Sequence, residues 1–126
     1  MDSEEIVHFK VCDYLKTFYP DVIFLTDASG IALHPYVAKK FAKLKSSRGM
    51  PDLIILFPNK KYYGLLIELK KANQNIFTTK GKLKTDHLNE QANVLKRLHY
   101  LGYYACVCIG YKSAIKTINQ YMTDSL

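Results

Sequence analysis

The sequence predicts an α/β domain in which a small mixed sheet is flanked by helices, in the order αβαββαβα. Three observations carry that prediction. Two short apolar runs, the branched Leu53–Phe57 and the aromatic- and cysteine-bearing Tyr103–Ile109, are bounded by Pro, Asn or Gly and read as strands. A third run, Gly64–Leu69, follows the first after the polar turn Pro58-Asn59-Lys60-Lys61, so the pair reads as an antiparallel hairpin. The longer segments around these runs repeat apolar residues at helical intervals, as helices lying on a sheet do.

In chain order, Ser3 caps a first helix with Glu4 and Glu5 in its first turn, where carboxylates favour the positive end of the dipole, and Pro20 ends it. Glu4, Val7, Val11, Tyr14 and Phe18 fall on one face, whereas Glu5 projects to the side. Val22–Thr26 is a short strand and Asp27-Ala28-Ser29-Gly30 a turn. A helix from Pro35 is expected to turn Val37, Phe41 and Leu44 inward and to expose Lys39, Lys40, Lys43 and Lys45, before breaking at Ser46-Ser47-Arg48-Gly49. After the hairpin, 72–86 reads as a mobile basic loop carrying Lys80, Lys82 and Lys84, with Phe77 as anchor or stacking group. Thr85 or Asp86 caps a helix through Tyr100, with Leu88, Ala92, Leu95 and Leu98 or His99 inward and Gln91 beside that stripe. Tyr103–Ile109 is apolar enough for a central strand, and Ser113–Tyr121 is a closing helix.

At 126 residues the chain has the length of a single domain, 1–126. Its 18 Lys and Arg against 11 Asp and Glu give a net charge of +7, which suits a polyanion such as nucleic acid. No apolar segment approaches the ~20 residues of a membrane span, and the acidic start Met1-Asp2-Ser3-Glu4-Glu5 is unlike a secretory signal. A cytoplasmic protein is expected. Three cysteines, an odd number, fit a reducing compartment. Zinc is disfavoured, because Cys12 and the histidines show no ligand-pair spacing to join Cys106 and Cys108.

The chemistry concentrates at the hairpin. Asp52 opens the Leu53 strand, and side-chain alternation puts Glu68 and Lys70 on one face of its partner. Ionisable groups entering an otherwise apolar strand are usually paired or functional. Two carboxylates can hold Mg²⁺ or Mn²⁺, and a lysine beside them can orient the attacking water or stabilise the transition state of phosphodiester hydrolysis. An amide at Gln91 can hydrogen-bond such a water or a phosphate, or simply face solvent. The lysines at 39–45 with Arg48, and those at 80–84, flank this stretch and are expected to grip phosphates.

Gly49-Met50-Pro51-Asp52 followed by Ile67-Glu68-Leu69-Lys70-Lys71 resembles the PD-(D/E)XK nuclease superfamily, and specifically its VRR-NUC branch. The early Glu, the Tyr19-Pro20-Asp21-Val22 step, the basic helix ending in Arg48-Gly49 and the helix carrying Leu88-Asn89-Glu90-Gln91 appear in the family's order, over nearly the whole chain. The resemblance implies a restriction-endonuclease-like core and a metal-dependent, structure-selective DNA endonuclease of the stand-alone phage or bacterial type, acting on branched DNA such as Holliday junctions. It also implies that Glu4, rather than Glu5, joins Asp52, Glu68 and the Leu69 carbonyl at the metal, with Lys70 and Gln91 completing the catalytic set. A homodimer would supply two active sites for cutting both strands. The alternatives are a non-catalytic DNA-binding module of the same fold and a restriction-type or general nuclease, although the chain has no long insertion with which to read base edges.

Overall fold

The computed structural model describes residues 2–27, 34–46 and 49–126. The Ser3 side chain accepts the Ile6 N–H at 3.2 Å and starts α1 (Glu4–Phe18). Its buried stripe is Val7, Val11 and Leu15. Phe18, expected on that stripe, is 64% exposed. Tyr14 is half-buried, and its hydroxyl donates to Asn119 alongside that of Tyr19. The inward face is therefore turned by one position towards Leu15.

Four strands follow the order β1-β2-β3-β4, where β1 is Phe24–Thr26, β2 Leu53–Ile55, β3 Leu65–Lys70 and β4 Tyr104–Ile109. The first two pairings are antiparallel and the last is parallel. The sheet is small and mixed, as predicted. Every residue of β3 is buried. The interior strands are β2 and β3, whereas β4, expected to be central, lies at the edge with most of its residues half-buried. An apolar run reports burial of its faces, not a neighbour on both sides.

Leu65, Ile67 and Leu69 of β3 join Val7, Val11, Leu15, Leu53, Ile55 and Cys108 in the core, which α4 (Tyr111–Met122) closes with Ala114, Ile118 and Tyr121. The connection between β2 and β3 is tied to α4. Tyr121 donates its hydroxyl to the Phe57 carbonyl at 2.6 Å, Asn59 donates to the Tyr121 carbonyl at 3.1 Å, and the Lys60 N–H donates to Asp124 at 2.7 Å. With Phe57, Asn59 and Lys60 held in this way, β2 ends at Ile55 although the apolar run continues to Phe57, and the Leu56 N–H still donates to the Ile23 carbonyl of the segment before β1.

Helix α3 (Asp86–Tyr100), capped by the Thr85 hydroxyl, packs against β4 and brings Gln91 to Glu68. Its most buried residues are Gln91 and Val94, with Leu88, Ala92, Leu95 and Leu98 half-buried, so the stripe read from the sequence is rotated. The region expected to be a loop is a small hairpin. Phe77 bridges Leu83, the Thr78 and Lys84 N–H groups bond the Lys82 and Ile76 carbonyls, and Gly81 turns at φ 79°. Its anchor is the buried Ile76, while Phe77 is 48% exposed.

Helix α2 (Pro35–Leu44) departs most from the sequence reading. None of its residues is buried, and Val37, Phe41 and Leu44 face outward. With α1, α4 and α3 covering the sheet, its apolar stripe meets no sheet face.

Candidate functional site

Asp52 stands where the β2–β3 ladder runs out. Leu53 pairs with Ile67, so one step further places Asp52 opposite Glu68. The following N–H on β3, that of Leu69, meets no strand carbonyl and donates to Asp52 Oδ2 at 2.8 Å. The Asp52 carbonyl meanwhile accepts the Asp27 N–H at 2.7 Å. A carboxylate held through backbone on both sides has little rotamer freedom. Asp52, Glu68, Lys70 and Gln91 are the buried polar or charged residues among those described.

Glu4, in the first turn of α1, brings a third carboxylate, and one oxygen from each of Glu4, Asp52 and Glu68 lies within 4.8 Å of the others. Glu5 instead lines a groove with His8, Phe9, Cys12 and β1. Burial, and then the negative charge of Asp52, push the Glu68 carboxyl up to about 9. Burial also raises that of Glu4, although the Lys70 charge acts in the opposite sense. The Lys70 ammonium lies 3.7 Å from Glu68 Oε2. Crowded anionic oxygens, with no sulfur or imidazole among them, form a donor set for a hard divalent cation such as Mg²⁺ or Mn²⁺. Such a cation would offset the burial, and with it the repulsion from Asp52, that raise both carboxyls. The Leu69 carbonyl leaves the same edge of β3 as its N–H and so faces the Asp52 side.

Gln91 Nε2 donates to Glu68 Oε2 at 3.0 Å and lies 3.3 Å from His87 Nε2, one helical turn earlier. Gln91 Oε1 is buried with no partner. Gly49, at φ 77°, allows the segment before Asp52 to run against this helix. A Cβ there would come within 2.9 Å of the Gln91 nitrogen.

No family model and no curated protein matches the chain. Among solved structures, a chain described as a VRR_NUC domain protein superposes with a TM-score of 0.67 at 26% identity, covering 97% of this chain and 89% of its own length. The chain is similar to a VRR-NUC domain protein over nearly its whole length. The mixed sheet and its flanking helices are consistent with the restriction-endonuclease-like α/β fold of that neighbour.

The fold brings together Glu4, Asp52, Glu68, Lys70 and Gln91 from α1, the start of β2, β3 and α3, regions far apart in sequence. It does not gather the basic residues in the same way. Lys39, Lys40 and Lys43 are exposed on α2, Lys40 lying 5.9 Å from the Tyr36 ring, and Lys80, Lys82 and Lys84 are exposed on the small hairpin. Lys45 bridges Asp27 at 2.8 Å, which ties the end of α2 to the end of β1. Arg48 lies outside the described residues. No described helix is long and apolar enough to cross a membrane. Two contributors to the site's geometry escaped the sequence reading. His87 precedes Gln91 by four residues, a same-face spacing that could have flagged it. Gly49 was legible only as part of a motif, because its contact with α3 is long-range.

Proposed function

We propose that this domain is a Mg²⁺- or Mn²⁺-dependent endodeoxyribonuclease that hydrolyses phosphodiester bonds, selects its DNA by structure and favours branched forms such as four-way junctions. The observation that carries this reading is the cluster of buried Asp52 and Glu68 with half-buried Glu4, and Lys70 beside it, in a chain similar to a VRR-NUC domain protein. Glu4, Asp52 and Glu68, with the Leu69 carbonyl, would hold the cation. When bound, it supplies Lewis-acid polarisation of the scissile phosphate and a lowered pKa for nearby water. The Leu69 N–H fixes Asp52 and the Gln91 amide fixes Glu68, so these oxygens are positioned before substrate arrives. Lys70, 6% exposed, offers a poorly solvated ammonium to the attacking oxygen or to charge developing on the phosphate. A purely DNA-binding role would leave this costly crowding of carboxyl groups beside a buried lysine without a use.

The exposed lysines of α2 and of the small hairpin, with Arg48, are assigned to phosphate contacts that read shape rather than base edges. The domain is taken to act as a single unit over 1–126, in the cytoplasm of a bacterial or phage-infected cell, and as a homodimer whose paired sites cut both strands of a junction. The test is cleavage by purified protein of duplex, single-stranded, flap and four-way-junction DNA, with Mg²⁺ or Mn²⁺ and with EDTA. Asp52→Ala is expected to lower cleavage on the order of a thousandfold with binding retained. Lys70→Ala should lower it on the order of a hundredfold while calorimetry still detects Mn²⁺ binding. Full activity in EDTA or in Asp52→Ala would remove the assignment, and a strictly monomeric protein that makes paired junction cuts would remove the dimer.

A further inference from the structure

A glutamine amide is nearly symmetric in shape, so the end that faces a reacting centre is decided by its neighbours. At Gln91 two neighbours decide it. Glu68 Oε2, 3.0 Å from Nε2, accepts one N–H, and His87 Nε2, 3.3 Å from the same nitrogen, accepts the other if its proton sits on Nδ1. With both donors committed, Oε1 is one amide width from the nitrogen bound to Glu68, buried and with no protein partner. A buried acceptor in that condition needs a donor.

We propose that His87 is a positioning residue for cleavage: by accepting a Gln91 N–H, it directs Gln91 Oε1 to receive an O–H from the water that attacks the phosphate. The chemical meaning rests on the nuclease reading, but the His87–Gln91 coupling itself does not. Without His87 the second N–H loses its acceptor and the amide can turn, exchanging an acceptor for a donor where the water must be held. His87 is exposed near the start of α3 and lies outside the core, so its replacement spares the packing.

The experiment is a double-mutant cycle on the full chain with single-turnover cleavage as readout. His87→Ala should slow the chemical step about tenfold, the rate equivalent of one lost hydrogen bond, with DNA affinity unchanged. In a Gln91→Ala background the same change should have no further effect. His87→Gln, which restores an acceptor, should recover most of the rate. In parallel, ¹H–¹⁵N spectra of the metal-free protein should show the Gln91 side-chain amide signals moving in His87→Ala and returning towards the wild-type positions in His87→Gln. Additive losses would overturn the proposal, because they would mean that His87 touches the DNA directly. Unmoved amide signals would overturn it as well. If no DNA is cleaved under any condition, the nuclease reading fails, and the spectra still decide whether His87 sets the orientation of Gln91.

Discussion

Lys70 and Lys43 carry the same ammonium group into opposite settings. Lys70 is 6% exposed at the end of β3, among carboxylates that are themselves crowded by burial. Lys43 stands in solvent on α2, a helix with no buried residue. In the first setting water screens little, so a change of one atom acts on particular partners at particular distances. In the second, each charge is hydrated and screened within about a Debye length, and only the sum of several matters. The two regions therefore call for different experiments, single substitutions at the cluster and grouped ones on the surface.

Glu68→Gln should give the largest contrast. It is expected to lower cleavage on the order of a thousandfold and yet to stabilise the metal-free protein. Below the ordinary 4.5 the Glu68 carboxyl is protonated in both states. From there up to about 9 the unfolded chain gives up its proton while the folded protein retains it, so this group lowers stability progressively across that window. Urea unfolding at a series of pH values should show a decline in wild type that is shallower in Glu68→Gln. Equal slopes would mean that burial and the nearby Asp52 do not raise the Glu68 carboxyl.

Next in size is Gly49→Ala, which acts on the buried region from outside it. A side chain at φ 77° facing the Gln91 backbone should destabilise the fold by about 1–3 kcal/mol and push the Asp52 segment away from α3. Cleavage should fall with little change in DNA affinity. Wild-type unfolding and turnover in this variant would show that the close approach is not needed. The smallest effect sharpens the other side of the contrast. Replacing Lys80, Lys82 and Lys84 together by Ala should weaken binding to all sequences alike, and reduce the slope of log affinity against log salt by roughly 0.9 per lost contact, without slowing cleavage of saturated enzyme. An unaltered slope would take the small hairpin out of the DNA interface.

The same division explains what could be read from the sequence. The β2–β3 hairpin was legible, since Asp52, Glu68 and Lys70 interrupt apolar runs, and a charge in such a run has few fates. Helix positions fared worse. Val37, Phe41 and Leu44 have the spacing of a buried stripe but are exposed, because periodicity shows that a helix has two faces and not whether anything packs on either. Gln91 illustrates the converse. A polar residue beside the expected stripe of α3 is one of its two most buried positions, because Glu68 reaches it from another element. The edge position of β4 and the Gly49 contact with α3 are likewise decided by distant partners.

The bonds from Tyr121, Asn59 and Asp124 have a bearing on how the protein is made. The hairpin that carries Asp52 and Glu68 is closed by a connection whose latch lies 62 to 64 residues later, in the last turn of α4 and just past it. Chains emerge from the ribosome from their N-terminal end, so Glu4 and the hairpin are synthesised long before the helix that clamps them. Until Tyr121 has left the exit tunnel, Ile55 and Leu65 lack the cover of α4, and the strand ends bearing the carboxylates are free to fray. Convergence of the acidic residues therefore waits for α4, and a nascent chain stalled within α4 would carry the complete acidic motif without its assembled geometry.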